Sequence, residues 1–379
     1  MRVSKRGAVD PFLVMDVMER ARAREEAGHR VIHMEVGQPG TPAPEGARAA
    51  LSAAMAAGPL GYTVGLGLPA LRQRIACHYG ETYDVDLDPG RVVVTAGASG
   101  AFILSFTALF EAGDKVALGL PGYPSYRQIL RALSLEPLGI ETRMEDRFQP
   151  VPDQIPAEAQ GLIVASPGNP TGTMLDRAAL GALSDACAAR DVAFISDEIY
   201  HGIDYDMRPV SALELTDDVH VVNSFSKYFS MTGWRVGWMV VPEDHVRIIE
   251  RLAQNLFICA PHASQVAALA TFDCRDELDR NLSVYAANRQ LMIDGLRAAG
   301  FTAFAPPDGA FYIYAEVSDL TDDALALSAE ILDKAGVAVT PGLDFDPGRG
   351  GRMLRFSYAG STEDITEGLS RLKAWRHNR

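Results

Sequence analysis

Cysteine is scarce and scattered. The four, Cys77, Cys187, Cys259 and Cys274, lie far apart, with no Cys-x-x-Cys spacing and no histidine pair beside them. They signal neither a structural zinc site nor a disulfide framework, and a reduced, cytoplasmic setting fits them best. Positive charge is also short: 35 Lys and Arg against 49 Asp and Glu leave a formal charge of −14 with histidine neutral. Such a surplus repels phosphate backbones, so neither nucleic acid nor an anionic membrane surface is an expected partner. Residues 1–10 alternate basic and small side chains and lead into no apolar run of signal-peptide length, so no export is implied. Tandem repeats and low-complexity tracts are missing. So are a Walker A lysine and a His-Glu-x-x-His, and the stretch Gly97-Ala98-Ser99-Gly100 lacks nucleophile-elbow spacing. Gly65-x-Gly67 resembles a piece of a dinucleotide fingerprint, but no strand precedes it and Pro69 opens the helix behind it. The histidines are dispersed, His201 and His262 read as ordinary surface or core residues, and no metal is expected.

The composition is that of a globular chain with a large core, 47% hydrophobic and 22% charged. No charge falls between Arg91 and Glu111, a length close to the roughly 20 residues that span a bilayer. This stretch reads instead as a strand, a glycine turn and a buried helix, because Val92 to Thr95 is β-branched and Gly97 and Gly100 interrupt the apolar residues behind it.

Through the middle of the chain a short apolar run, a glycine-rich or polar turn and a helical segment recur. The runs are Val92–Thr95, Val116–Leu120, Leu162–Ala165, Val192–Ser196, Val219–Asn223 and Val236–Val241. Each is nearly continuous, as strands covered on both faces are, which predicts an α/β fold with a mostly parallel sheet. Helices are expected over Tyr126–Leu133, over Arg177–Ala189 behind the capping Asp176, and from Glu243 behind Pro242. The two ends differ. An amphipathic helix over Val14–Ala27, a strand over Val31–Val36 and a Pro/Gly linker open the chain. A long polar helix from about Cys274 to Gly300 is succeeded by strands near Phe311–Ala315 and Met353–Ser357, with helices near Ala324–Lys334 and Thr362–Lys373. The expected division is therefore not sequential: a large α/β domain over 45–273, and a smaller α+β domain assembled from 1–44 and 274–379.

Polar residues stand where the middle strands end: Gly97, Ala98 and Ser99, then Tyr123, Asn169, Asp197 with Tyr200, and Ser224 with Lys227. In an open parallel sheet the carboxyl ends of the strands border one crevice, where ligands bind. Gly97-Ala98-Ser99 at a helix start offers N–H groups and a hydroxyl to a phosphate. Arg235 and Ser224 would add a bidentate cation and a further hydroxyl. Asp197 could pair with a protonated ring nitrogen, Tyr200 and Asn169 could hydrogen-bond a ring oxygen, and Lys227 could form a Schiff base. In outline this is a site for pyridoxal 5′-phosphate.

Taken singly, Asp-Glu is a solvated pair, Ser-x-Ser-Lys a surface loop and Asn-Pro-Thr-Gly a turn. Their order along the chain is what carries weight. Gly61-Tyr62-Thr63, Pro121-Gly122-Tyr123-Pro124, Ser166-Pro167-Gly168-Asn169-Pro170-Thr171-Gly172, Asp197-Glu198-Ile199-Tyr200, Ser224-Phe225-Ser226-Lys227 running on to Gly233-Trp234-Arg235-Val236-Gly237, and Arg355-Phe356-Ser357-Tyr358-Ala359 resemble, in that order, the class I aminotransferases of the fold-type I pyridoxal phosphate enzymes. The subgroup that fits is the one of aspartate aminotransferase-like proteins.

The resemblance implies a large domain with a mostly parallel seven-stranded sheet flanked by helices. It implies that Lys227 holds the cofactor and shuttles the proton, that Asp197 keeps the ring nitrogen protonated with Tyr200 nearby, and that Tyr123 and Ile199 cover the two ring faces. Gly97, Ala98, Ser99, Ser224, Ser226 and Arg235 would surround the phosphate. Tyr62 of the partner subunit would join them, making a homodimer with the site at its interface. Arg355, with Asn169 and the backbone of Gly37, would clamp the substrate's carboxylate. The implied activity is transfer of an amino group from an L-amino acid to a 2-oxo acid by a ping-pong cycle. Two alternatives stay open: a carbon–sulfur β-lyase on the same fold, and a non-catalytic effector-binding module, which the acidic charge and the lack of a DNA-binding extension before Val14 disfavour. Dicarboxylate-specific members place an extra basic side chain near the first glycine turn; here it reads Ala98-Ser99-Gly100. A neutral or aromatic substrate side chain is therefore preferred, with the segment around Phe12 shaping its pocket.

Overall fold

Strands that are apolar on both sides need cover on both sides, and the computed structural model, which describes residues 1–379, supplies it. In chain order the first half contains α1 (Leu13–Glu26), β1 (Ile32–His33), α2 (Glu45–Ala57), α3 (Pro69–Tyr83), β2 (Val92–Thr95), α4 (Gly97–Leu109), β3 (Lys115–Leu120), α5 (Pro124–Ala132), β4 (Glu136–Glu141), β5 (Gly161–Ala165), α6 (Arg177–Ala188) and β6 (Ala193–Asp197). The second half adds β7 (His220–Ser224), β8 (Gly237–Val240), α7 (Glu243–Leu256), α8 (His262–Thr271), α9 (Arg275–Ala298), β9 (Tyr312–Glu316), α10 (Ala324–Ala335), β10 (Val337–Ala338), β11 (Thr340–Pro341), β12 (Met353–Ser357) and α11 (Thr362–His377).

The large sheet has seven strands in the order β2-β8-β7-β6-β5-β3-β4. All run parallel except β8, which is antiparallel to both neighbours. Alternate residues of each strand enter different cores. Val92, Val94, Leu162, Val164, Val221 and Trp238 pack with Leu71 and Ile75 of α3, Leu180 and Leu183 of α6 and Ala267 of α8. Val93, Val116, Ile163, Ile195, Val222 and Met239 pack on the other face with Phe102 and Phe106 of α4, Leu130 of α5 and Ile249 of α7. Each such aliphatic side chain contributes about 1.5–3 kcal/mol by leaving water. The charge-free stretch resolves into β2 and the buried helix α4, and no helix is long and apolar enough to cross a membrane.

The remaining strands form a three-stranded antiparallel sheet, β11-β12-β9, and the parallel pair β1-β10. Their core joins both ends of the chain: Ile32 and Met34 pack with Ile313, Leu327, Phe356, Leu372 and Trp375. Helix α1 has no side-chain cap of its own. The Asp344 carboxylate supplies it from 330 residues away, accepting from the Leu13 and Val14 N–H groups at 2.9 Å each.

Two expectations change. The seventh strand of the sheet, β4, is not among the apolar runs of the sequence, because it is an edge strand carrying Glu136, Pro137 and Glu141 in place of such a run. The strand expected over Val31–Val36 is paired only at Ile32 and His33. Beyond it the carbonyls of Glu35 and Gly37 accept from Arg355 and Lys227 instead of from a neighbouring strand.

Gly237 opens β8 and backs the turn at Gly97. A Cβ there would stand 2.8 Å from the Asn223 carbonyl oxygen and 3.1 Å from the Gly97 carbonyl carbon. Both are backbone atoms in paired elements, so Gly237→Ala is expected to cost about 1–3 kcal/mol, read as a lower urea midpoint at unchanged slope. An unchanged midpoint would show that the turn yields freely.

Candidate active site

The carboxyl ends of β2, β5, β6 and β7 border a cavity of about 230 Å³, closed on its other side by α1, residues 36–38 and β9 and β12. Of the charged side chains only Asp197, Lys227, Arg235 and Arg355 line it. The wall therefore carries one carboxylate against three cations in a chain whose net charge is −14.

Lys227 lies just past β7, and its Nζ donates to the Gly37 carbonyl oxygen and stands 5.6 Å from the centre of the Tyr200 ring. Burial pushes its ammonium down to about 7; the Arg355 and Arg235 guanidiniums push the same way, against the pull of Asp197. Asp197 is the last residue of β6 and is buried. Burial lifts its carboxyl to about 6, opposed by hydrogen bonds from Tyr126 and from the Ile199 N–H, which favour the ionised form. The Tyr126 hydroxyl donates to Oδ2 and the Ile199 N–H to Oδ1 at 3.1 Å. Tyr200 is buried, its hydroxyl 2.8 Å from that of Tyr312.

At one end of the cavity, Gly97 starts α4 with φ of 73°, a conformation that favours glycine, and a side chain there would run into the Arg235 guanidinium. Arg235 pairs with no carboxylate; its Nη1 donates to the Thr232 carbonyl at 3.0 Å. Ala98, Ser99, Ser226 and Arg235 line this end together. At the opposite end Arg355 is 3% exposed. Its Nη1 donates to Asn169 Oδ1 at 2.9 Å, and its Nη2 donates to the Glu35 carbonyl and to Thr340 Oγ1. The guanidinium lies between the Tyr312 and Phe345 rings, 4.5 and 4.8 Å from their centres, and Nε is buried without a partner. Tyr123 and Ile199, both half-buried, stand on the walls between the two ends.

The structure thus gathers Gly37, Ala98, Ser99, Tyr123, Asn169, Asp197, Ile199, Tyr200, Ser226, Lys227, Arg235 and Arg355 around one cavity. Three expected residues stand apart. Gly97 lies beneath Arg235 without reaching the wall. Ser224 turns inward: its hydroxyl donates to Ser226 Oγ at 2.9 Å and accepts from the Ser226 N–H, so it braces the loop and only Ser226 reaches the cavity. Tyr62 is 82% exposed on the outer surface, away from this chain's cavity. Residues the sequence reading missed are Tyr126, Tyr312, Phe345 and the Glu35 carbonyl. Tyr126 had a local signal, since it lies three residues beyond Tyr123 on α5 and shares its side of the helix. The others arrive from distant segments. His201 is a core residue bonded to Tyr83 and the Ser166 carbonyl, and His262 binds the Gly61 carbonyl.

The family model for aminotransferases of class I and II matches residues 29–372. The chain belongs to this family. The aminotransferase is 46% identical over 381 residues to the valine–pyruvate aminotransferase of Mycobacterium tuberculosis, covering 99% of this chain and 98% of that one. A crystal structure from Silicibacter pomeroyi superposes with a TM-score of 0.96 at 66% identity, covering 100% of both chains. The aspartate aminotransferase of Thermus thermophilus, crystallised with maleate, superposes with a TM-score of 0.91 at 29% identity over 99% of this chain and 100% of that one. Among such relatives β-elimination is not favoured as an alternative activity.

With burial and two guanidiniums depressing it, the Lys227 amine of the aminotransferase freed of small molecules should label with an amine-reactive reagent at a midpoint near pH 7. Arg235→Gln removes one repelling charge and should move the midpoint upward. A parent midpoint near the ordinary lysine value of about 10.4 would show that the amine is not electrostatically depressed.

Proposed function

We propose that this aminotransferase binds pyridoxal 5′-phosphate and moves the amino group of a neutral L-amino acid to a 2-oxo acid in two alternating half-reactions. The observation that carries the reading is the spacing of charge along one cavity: a free guanidinium over a glycine turn at one end, a buried amine and carboxylate in the middle, and a buried, partly unpartnered guanidinium at the other. This set fits the cofactor. Arg235, Ser99, Ser226 and the N–H groups from Gly97 onward would hold the phosphate. Asp197 would hold the ring nitrogen, Asn169 and Tyr200 the ring oxygen, and Tyr123 and Ile199 would face the ring. When bound, the cofactor supplies an electron-withdrawing ring that accepts the electron pair released at the substrate's α-carbon.

The remaining work falls to the chain. Arg355 fixes the substrate's carboxylate, its Nη1 and Nη2 already oriented by Asn169 and the Glu35 carbonyl and its Nε still without a partner. That clamp selects amino acids over simple amines. Lys227, its ammonium pushed down to about 7, is partly neutral at neutral pH, and in that form can take the proton from the α-carbon without first shedding one of its own. Apolar side chains from Phe12, Val14, Met15, Met18 and Val36 line the cavity, and no cation beyond Lys227, Arg235 and Arg355 does so. A second substrate carboxylate would have no cationic partner left on this chain's wall, whereas an aliphatic chain would be desolvated favourably. The name of the relative from M. tuberculosis supports the same substrate class.

The reading includes a homodimer. Tyr62 and Val64 project from a loop whose Gly61 carbonyl binds His262, beside the exposed Leu256 and Ile258. Ile258 is held at φ of 65°, unfavourable for a β-branched residue. This apolar, strained surface supports a subunit contact that brings Tyr62 of the partner subunit to the phosphate. The domain division at 45 and 273 belongs to the same reading, as does a reduced cytoplasmic setting, for which four free thiols are the support.

Two measurements test it. Mixed with an amino acid alone, the coloured holoenzyme should lose its visible absorbance to the pyridoxamine form and regain it on addition of a 2-oxo acid, and Lys227→Ala should show neither turnover nor the change. Stoichiometric ammonia and pyruvate released from a cysteine conjugate without an acceptor would replace transamination by elimination. In a substrate panel, kcat/KM for valine, alanine or other neutral amino acids should exceed that for aspartate by about tenfold or more, the order of an unpaired buried polar group. Aspartate preferred by the same margin would overturn the apolar-pocket assignment.

A further inference from the structure

Tyr126 sits on the first turn of α5, 4% exposed, with its ring set edge-to-face against Phe102 at 5.1 Å and Tyr123 at 5.4 Å. Its hydroxyl has one hydrogen-bond partner, the Asp197 carboxylate, to which it donates at Oδ2. The one other hydrogen bond to that carboxylate comes from the Ile199 N–H at Oδ1. The four lone-pair directions of a carboxylate are thus half occupied, leaving room for a further N–H donor from the cavity.

We propose that Tyr126 is the positioning residue that holds Asp197 ionised and turned toward the cofactor's ring nitrogen, so that the proton shared between them stays on nitrogen. The inference rests on the pyridoxal phosphate reading of the site. A carboxylate stripped of hydrogen-bond donors in a buried place becomes more basic and draws such a proton to itself; a donor to the carboxylate reverses this. The other ionisable groups nearby give Asp197 little help. Lys227 is the one cation that lowers its proton affinity, and burial pushes that ammonium to about 7, so its charge is partial at neutral pH. Glu198, next in the chain, faces away into hydrogen bonds from Ser196, Ser211 and the Ala212 N–H. Tyr123 stands against the far side of the Tyr126 ring. Burial keeps the Tyr126 hydroxyl protonated well beyond the ordinary tyrosine range, so it acts as a donor at every working pH. The Ile199 N–H belongs to the backbone, which leaves Tyr126 as the one donor that side-chain chemistry can set.

Tyr126→Phe keeps the ring between its aromatic neighbours and removes only the donor. With pyridoxal phosphate labelled with nitrogen-15 in the ring, the bound nitrogen resonance of the parent should lie at the protonated position at pH 7.5. In Tyr126→Phe it should move toward neutral pyridine, and the Kd of the apoprotein for unlabelled pyridoxal phosphate should weaken about tenfold, as loss of a hydrogen bond to a charged group does. A 3-fluorotyrosine at position 126, a stronger donor of nearly unchanged size, should leave the resonance at the protonated position and hold Kd within about twofold of the parent. It serves even if the Phe variant folds poorly. A parent apoprotein that binds no pyridoxal phosphate overturns the reading of the site and this role with it. A parent that binds, with the Tyr126→Phe resonance and Kd both unchanged, leaves the site standing and overturns the role of Tyr126 alone. A fluorotyrosine resonance shifted toward neutral pyridine also overturns it.

Discussion

A guanidinium out of water is costly unless its charge and its N–H groups are answered, and Arg355 is buried with its hydrogen bonds going to neutral acceptors and none to a carboxylate. Its partners are a backbone carbonyl, an amide oxygen, a hydroxyl and two ring faces. They come from residue 35 near the start of the chain, residue 169 beyond β5, residue 340 in β11, and residues 312 and 345. Residues 340 and 345 share one stretch of chain, but residues 35, 169 and 312 lie well apart from it and from one another, so the arginine is answered only when both ends of the chain close over the sheet. The closure is therefore part of the site. What stays unanswered is Nε and part of the positive charge, which is the demand an incoming carboxylate would meet.

That residual charge acts at a distance. Arg355 and Arg235 both depress Lys227, and Asp197 alone opposes them. Both guanidiniums line the same cavity as the amine, where charges are screened less than in bulk water, so each repulsion lowers the lysine's proton affinity. The cations proposed to recognise anions thus add to the burial that shifts the amine toward its neutral form. An anion paired with either guanidinium lifts part of that repulsion by the same Coulomb interaction. On the proposed function, the amine would then gain basicity as the site fills, when a proton is to be accepted from carbon.

The large sheet was legible because its strands are covered on both faces and read as unbroken apolar runs; Val92–Thr95 falls where expected to the residue, as does Met353–Ser357 in the small sheet. Strand ends in a parallel sheet face one crevice, so the polar residues placed there were legible as a site before any contact was known. β4 was not, because an edge strand needs no apolar alternation and tolerates Pro137. Tyr312 and Phe345 were not, because nothing local distinguishes an aromatic that packs a core from one that sandwiches a guanidinium. Ser224 shows the reverse limit. It stands at a strand end as expected, yet the turn directs its hydroxyl to Ser226 and leaves it off the cavity wall. Sequence order locates a residue on an element, and the last few ångström belong to tertiary packing.

The apolar wall and the proposed carboxylate clamp share one support. Asp344 caps α1 and so fixes Phe12, Val14, Met15 and Met18 at the cavity. The next residue, Phe345, lies against the Arg355 guanidinium. Arg127 of α5 holds the carbonyls of both, at 2.6 Å for Asp344 and 3.1 Å for Phe345, which anchors this short loop to the helix that carries Tyr126. A substrate with its carboxylate on Arg355 therefore meets a side-chain wall placed by the adjoining residue, and neither can shift far without the other. Selection by side-chain size and orientation by the carboxylate are then mechanically coupled. A poorly fitting side chain would disturb the clamp itself, and through it the depressed lysine, so discrimination should enter the chemical step as well as the binding step.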